Sequence, residues 1–164
     1  MYQTILVPLD GSELAEGALV HAEAIAERFG ADIVLFHALA SDGTMGTAAE
    51  DESTVRNYLM SIRGTFLAKG IKAQVAIGQG RAVEAILRHV ESMPVSLIVL
   101  SSHGRSGLRR AVMGSVADEL MRQSHTPVLV VKNLVAGSPS TEYDARNLPE
   151  SSSEPGFGQL AIRV

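Results

Sequence analysis

Five short apolar runs alternate with four segments of helical periodicity between residues 4 and 131, and this alternation constrains the fold most strongly. Strands that alternate with helices through short connections form parallel sheets with right-handed crossovers. The second run is apolar on both faces, as expected when helices cover both sides of a sheet. We therefore predict an α/β fold, an open five-stranded parallel sheet with helices on both faces. The predicted strands are Thr4 to Leu9, Asp32 to Ala38, Ile71 to Ile77, Val95 to Leu100 and Pro127 to Val131.

Four amphipathic helices are predicted between these strands. In the first, small and apolar residues recur every three or four positions, and Gly30 follows where a helix C-terminal glycine belongs. The second is expected to end near Gly70 and the third near Glu91. The residues predicted to line the helices are Leu14, Ala18, Ala22, Ile25, Ala26, Phe29, Val55, Tyr58, Leu59, Ile62, Phe66, Val83, Ile86, Leu87, Val90, Val116, Leu120 and Met121.

The composition narrows the class of protein. The 164 residues include no cysteine, which excludes a disulfide scaffold, thiolate metal sites and cysteine catalysis. A net charge of -4 and 4% aromatic residues argue against nucleic-acid binding. No apolar run approaches the roughly 18 residues that a membrane span needs, and the N-terminus has no export signal. We expect a soluble, cytoplasmic protein with no membrane span.

The chain changes character at residue 133. Residues 1 to 132 are predicted to form one domain, whereas residues 133 to 164 are rich in Gly, Ser, Pro, Glu and Asn and lack periodicity. Two interpretations of this C-terminal tail remain open. It is flexible, or its last residues, 158 to 164, add a strand to a sheet edge of this or a second molecule.

A glycine-bearing loop after the fourth strand is the strongest candidate functional element. It covers residues 101 to 113 and leads to Gly114 and Ser115 at a predicted helix start. Connections of this kind usually have about two to six residues, so its length favours a function. Small residues let the backbone approach an anion, and the N–H groups of a helix start attract it. The sequence therefore predicts a phosphate-binding loop and, with it, a bound nucleotide.

The turn after the first strand is expected to face this loop. Ligands of open parallel sheets bind at the carboxyl ends of strands where the strand order reverses. If the first and fourth strands are central neighbours, residues 8 to 12 and 101 to 115 lie across one crevice. Asp10 would then accept hydrogen bonds from ribose or base, or help hold a metal ion on the phosphates. The residues expected around the phosphates are Gly104, Arg105, Gly107, Gly114 and Ser115.

Structural roles compete with this interpretation. Asp10 or Ser12 can cap the first helix, and Ser115 with Asp118 matches a Ser-x-x-Asp capping pattern. A capped helix start remains an anion site whenever phosphate displaces water, so the two roles are compatible. The two common nucleotide motifs are absent, because G-x-G at residues 78 to 80 lacks the rest of a dinucleotide fingerprint and no P-loop sequence occurs.

Four segments carry a family resemblance: Ile-Leu-Val-Pro-Leu-Asp-Gly-Ser from residue 5, Leu-Phe-His-Ala from residue 35, Ser-His-Gly-Arg-Ser-Gly followed by Met-Gly-Ser-Val-Ala-Asp-Glu-Leu, and Thr-Pro-Val-Leu-Val-Val. Over residues 2 to 132 the chain resembles the universal stress proteins. The most specific part is that family's ATP-binding pattern, G-x-x-G, nine residues, then G-[ST]. It falls on Ser101, Gly104, Gly114 and Ser115, with serine in the place of the first glycine.

The resemblance implies a Rossmann-like doubly wound sheet of strand order 3-2-1-4-5 that binds ATP, AMP or cyclic AMP. It implies that Pro8 and Asp10 lie against ribose and adenine and that the Ala38 backbone pairs with the adenine edge. The other implied nucleotide-binding residues are Leu9, Ser101, Gly104, Arg105, Ser106, Gly107, Gly114, Ser115 and Val116. Similar proteins form homodimers through the final strand, here Pro127 to Val131, and pairing two exposed apolar edges is physically sensible.

Three functions follow as hypotheses. The leading one is a dimeric ATP-binding sensor or regulatory module of a stress response with weak or no hydrolysis, because the sequence shows no evident general base or placed arginine finger. The second is a dimeric interaction protein without nucleotide, whose protein partner docks on the tail or a sheet edge. The third is a slow ATPase or phosphotransferase in which Asp10 holds Mg²⁺.

Overall fold

The computed structural model describes residues 1–40, 51–102 and 113–132, all within one compact unit that spans Met1–Asn133. The predicted fold is confirmed: the five strands form one parallel sheet in the order β3-β2-β1-β4-β5, with helices between successive strands. The predicted tail, 133 to 164, lies outside the described residues. The elements are β1 (Thr4–Pro8), α1 (Glu13–Phe29), β2 (Asp32–Leu39), α2 (Glu52–Ala68), β3 (Ala73–Gln79), α3 (Ala82–Ser92), β4 (Leu97–Ser101), α4 (Ser115–Gln123) and β5 (Val128–Val131).

The core has two halves because side chains alternate across each strand. On one face, Ile5, Leu35 and Val99 pack with the buried residues of α1 and α2. On the other face, Leu6 and Phe36 pack with those of α3 and α4. Helices therefore cover both faces, which explains why the central strands carry apolar residues on both of their faces.

The first helix packs closely on the sheet through alanines. Ala15, Ala18, Ala22 and Ala26 are buried, and the helix ends at Gly30, whose φ of 65° and N–H bond to the Ala26 carbonyl form a left-handed cap. The predicted alanine face is confirmed.

Two of the residues predicted to face the core are instead exposed. Phe29 ends α1 and is 47% exposed; its ring lies edge-on against Tyr2 with centroids 5.3 Å apart. Met121 is 44% exposed, because α4 turns the narrow face of Ala117 and Leu120 towards the sheet. Periodicity alone overestimated the width of these helix faces.

Two strands, β3 and β4, begin two residues later than predicted, and β5 begins one residue later. Ile71 is buried, but its N–H bonds to the Phe66 carbonyl and so belongs to the turn that ends α2; β3 begins at Ala73. Before β4, the Ser96 hydroxyl accepts hydrogen bonds from the Gln3 and Thr4 N–H groups, at 2.9 and 3.1 Å. Ile71 and Val95 are both apolar, so the sequence pattern does not show that they lie before the strands begin. None of the helices in the described ranges combines the length and apolar character that crossing a membrane requires.

Candidate functional site

The strands β1 and β4 separate at the carboxyl end of the sheet, where all the parallel strands end. These two strands pair only through Ile5 with Leu97 and Leu6 with Ile98, although β1 continues to Pro8 and β4 to Ser101. By contrast, β1 stays paired with β2 as far as Pro8, and β4 with β5 as far as Ser101. The strand order reverses at this point, so the opening lies where open α/β sheets bind ligands.

One side of the opening is the turn from Asp10 to Ser12. Asp10 Oδ1 accepts hydrogen bonds from the Ser12 N–H at 3.0 Å and the Ser12 hydroxyl at 2.6 Å. The Ser12 hydroxyl oxygen in turn accepts from the Ala15 N–H at 3.2 Å and caps α1. The structural role expected for Ser12 is confirmed, and Asp10 braces that cap. The Asp10 carboxylate is thereby held in a fixed orientation.

The backbone beside this turn points into the same space. The Leu9 N–H donates to the Phe36 carbonyl at 2.8 Å, and the Leu9 side chain is buried in the core, so of the polar groups of Leu9 only the backbone carbonyl is left for a ligand. In a parallel ladder, alternate residues turn both their N–H and C=O groups to the same neighbour. Ala38, two residues beyond Phe36, therefore turns its backbone groups towards β1 at the level where β1 has ended.

The base of the glycine-bearing loop is closed by backbone hydrogen bonds. The Ser102 N–H donates to the Val131 carbonyl, and the Gly114 N–H donates to the Ser102 carbonyl, both at 2.7 Å. Ser101 ends β4, is buried, and is not among the positive-φ residues of the described chain, which are all glycines. Serine at position 101 therefore carries no backbone strain. Ser102 therefore holds the base of the loop through both its backbone groups: its N–H bonds to β5, and its carbonyl bonds to Gly114. The sequence did not single out Ser102.

The start of α4 forms the other side of the opening. Gly114 is the N-cap residue, with extended backbone at φ -60° and ψ 147°, and the Asp118 N–H donates to its carbonyl at 3.0 Å. The N–H groups of Ser115, Val116 and Ala117 precede that first helical bond and so have no partner within the helix. Ser115 is exposed and Val116 half-buried. These three amides and the positive end of the helix dipole favour an anion.

One expectation for this helix start is wrong. Ser115 is the first helical residue and not the cap, and Asp118 forms an ion pair with Arg122, so the Ser-x-x-Asp capping pattern is not realised. The Gly114 N–H serves the loop closure, so it is not free to bind phosphate. The amides available to an anion therefore begin one residue later, at Ser115.

Tyr58 of α2 lies near the Asp10 turn, although the sequence assigned this residue only to the core. The half-buried Tyr58 hydroxyl donates to Glu16 Oε1 at 2.9 Å. Burial raises the pKa of Tyr58 above its ordinary value of 10.0, and the hydrogen bond to Glu16 and the charges of Glu16 and Asp10 add to the shift. Tyr58 therefore stays protonated and ties α2 to the first turn of α1.

A separate concavity of about 190 Å³ lies between α3 and β3, away from this opening. Its lining includes Phe36, Gly78, Arg88 and His89. The His89 ring lies 5.1 Å from that of Phe36, centroid to centroid, and its Nε2 is buried without a hydrogen-bond partner. Burial lowers the pKa of His89.

Part of the predicted site lies outside the described residues: Gly104, Arg105, Ser106 and Gly107 all fall within 103–112. Pro8, Leu9, Asp10, Ala38, Ser101, Gly114, Ser115 and Val116 are described, and all lie at or next to the strand ends and helix start that border the opening. Within 1–40, 51–102 and 113–132, no group of three or more His, Asp or Glu side chains is arranged to hold a metal ion.

Comparison with known proteins agrees with this architecture. Residues 1–132 match the model of the universal stress protein family. Universal stress protein MJ0531 of Methanocaldococcus jannaschii is 30% identical over 141 residues, which cover 80% of this chain and 83% of that protein. Universal stress protein MJ0577 of the same organism is 30% identical over 155 residues, covering 80% and 96%.

Solved structures share the fold. The structure of MJ0577 superimposes with a TM-score of 0.71 at 28% identity and covers 82% of this chain and 98% of its own. A universal stress protein in complex with cAMP gives 0.63 at 24% identity, covering 80% and 97%. The Archaeoglobus fulgidus protein in complex with dAMP gives 0.61 at 23% identity, covering 80% and 98%. On the family match and these relatives, the chain belongs to the universal stress protein family.

Proposed function

We propose that this protein binds ATP or another adenine nucleotide in the opening between β1 and β4 and acts as a sensor or regulatory module of a stress response. The observation that carries the proposal is the loss of pairing beyond Leu6 and Ile98, which leaves a space bordered by a fixed carboxylate and by the helix-start amides. A carboxylate suits a ribose hydroxyl, whereas amides at a helix start suit phosphate. A nucleotide carries both groups.

Each predicted residue has a place in this proposal. Pro8, the Leu9 backbone and Asp10 would contact ribose and adenine, and the Ala38 backbone groups would meet the adenine edge. The phosphates would lie on the amides from Ser115 onwards. The remaining phosphate contacts assigned by the sequence are Ser101, Gly104, Arg105, Ser106 and Gly107. Two structures of the same fold hold cAMP and dAMP, which makes cyclic AMP and AMP the natural competitors to test against ATP.

The described residues suit binding better than hydrolysis. Efficient phosphoryl transfer needs a positioned base and cations around the transferred group. Asp10 Oδ1 already accepts two hydrogen bonds from Ser12, and the described chain adds no further acidic cluster. Mg²⁺ is commonly held by phosphates with one or two carboxylates, so it would enter with the nucleotide and at most reach Asp10. An Asp10→Ala variant with undiminished turnover would exclude metal-dependent catalysis through this residue.

Calorimetric titration of the purified protein with ATP, AMP and cyclic AMP tests the proposal, after any co-purified ligand has been released and identified. Gly114→Val is expected to weaken ATP binding by at least about tenfold, or about 1.4 kcal/mol, because its side chain would crowd the phosphate path. Gly114 has an ordinary φ of -60°, so the variant should still fold.

Gly64→Val is the matched control, since Gly64 is exposed on α2 and a Cβ there meets nothing within 4 Å. It should bind as the wild type does. No binding of any adenine nucleotide below millimolar concentration would remove the proposal. Unchanged affinity in Gly114→Val would contradict the placement of the phosphates.

A cytoplasmic homodimer through Pro127 to Val131 belongs to the same proposal. The β5 edge supports it, because Leu129 is 37% exposed and the strand lies at the end of the sheet. The alternative is a dimeric interaction protein whose partner docks on this edge or on the tail, 133 to 164. Deleting the tail and titrating nucleotide together distinguish the nucleotide-binding protein from the interaction protein. The interaction protein is expected to lose its partner and to bind no nucleotide.

A further inference from the structure

The two outer strands of the sheet, β3 and β5, differ in whether side chains hydrogen-bond to their outward-facing backbone groups. The Ile33 N–H donates to the Lys72 carbonyl at 2.9 Å, and the Gly80 N–H donates to the Leu39 carbonyl at 2.8 Å. By the alternation of a parallel ladder, the even-numbered residues from 72 to 80 bond to β2. Ala73, Val75, Ile77 and Gln79 therefore turn their N–H and C=O groups outward.

Two arginines cover the ends of this outward row. Arg63 of α2 donates from Nε to the Ala73 carbonyl at 2.8 Å. Arg88 of α3 donates from its guanidinium to the Gln79 carbonyl. The two side chains come from helices on opposite faces of the sheet, and each reaches around to the edge. Only Val75 and Ile77 lie between them.

The β5 edge lacks such covering. The Ile98 N–H donates to the Pro127 carbonyl and the Ser102 N–H to the Val131 carbonyl, so the odd-numbered residues of β5 bond to β4. Val128 and Val130 then turn their groups outward. Within the part of the chain that the structure describes, no side chain donates to either carbonyl.

We infer that Arg63 and Arg88 close the β3 edge to strand addition, so that the homodimer proposed above, on which this inference rests, does not extend through β3. An unprotected edge offers a row of backbone donors and acceptors to any other strand, and proteins block such edges with charged side chains. A sheet open at both edges would extend beyond a pair of chains. The arginines limit association to one edge, whether or not the protein binds nucleotide.

The test compares molar masses by light scattering. In Arg63→Met with Arg88→Met, the stems remain but the donors are lost. The mass at equal concentration is expected to rise at least about twofold over the wild type, because a pair joined at β5 would then expose two open β3 edges and could extend further. The matched control is Arg56→Met with Arg122→Met, which removes two exposed arginines paired with acids within their own helices and should keep the wild-type mass.

Adding Val75→Pro identifies the edge responsible. The Val75 N–H points outward, so proline is tolerated within the sheet and blocks only an added strand. The triple variant is expected to return to the wild-type mass. A mass that stays high in the triple variant, or that never rises in the double variant, overturns the inference. If the double variant does not melt cooperatively, Arg88→Met alone decides, since Arg88 is exposed, and a wild-type mass would then overturn it.

Discussion

Gly78 and Gly80 look like part of a dinucleotide motif in the sequence, but each has its own structural reason. A Cβ on Gly78 would lie 2.6 Å from Phe36 Cζ and 3.0 Å from the Ala85 Cβ, so glycine lets β3 pass the Phe36 ring. Gly80 has a φ of 102°, which L residues rarely adopt. Neither the close contact at Gly78 nor the positive φ at Gly80 can be inferred from the G-x-G pattern.

Gly78→Ala is expected to lower the free energy of unfolding by about 1–3 kcal/mol, because the added methyl must displace Phe36 in a packed core. Gly64→Ala is its matched control. Gly64 lies inside α2 with open space around it, so alanine there should raise the free energy of unfolding by about 0.5–1 kcal/mol. Urea denaturation of both variants checks the pair. Equal effects of the same sign would contradict this account of Gly78.

At the scale of elements, the sequence predicted which segments are helices and strands but not where each backbone turns. Periodicity identifies apolar side chains, and Ile71 and Val95 are apolar although both lie before their strands begin. The same limit applies to the site. The helix start at Ser115 was recognisable from Gly114 and the loop before it. The hydrogen bond from the Gly114 N–H to the Ser102 carbonyl depends on tertiary geometry and was not recognisable from the sequence.

The packing of α3 on the sheet should depend on pH through His89. Burial lowers the pKa of His89 below its ordinary value of 6.5. Above that value the imidazole is neutral in both states and contributes no pH dependence. As the pH falls below it, the unfolded chain takes up the proton first, so the free energy of unfolding decreases. His89→Leu should therefore show a smaller loss of stability between about pH 7 and about pH 5.

Urea denaturation of the wild type and of His89→Leu at several pH values in that range measures the difference in slope. Parallel pH dependences of the two proteins would show that His89 is not the titrating group. A steeper loss in the variant would contradict the sign of the effect.

For the molecule as a whole, the alternation of strands and helices was enough to predict the parallel sheet and its covered faces. The detail that makes the carboxyl end of the sheet a candidate site is the separation of β1 from β4 beyond Leu6 and Ile98. Apolar runs cannot reveal it, because both strands stay apolar beyond the last paired residues, through Val7 and Pro8 in β1 and through Val99 and Leu100 in β4. The arrangement of Tyr58 and Glu16 beside Asp10 is likewise a product of the fold, since 42 residues separate the pair.

The most direct measurement of the central claim is a titration of ¹⁵N-labelled protein with ATP, followed by amide chemical shifts. The account predicts that the largest changes fall on Ser115, Val116 and Ala117 at the start of α4 and on the Asp10 turn. Changes confined to the concavity around Gly78 and His89, or none at saturating ATP, would contradict it.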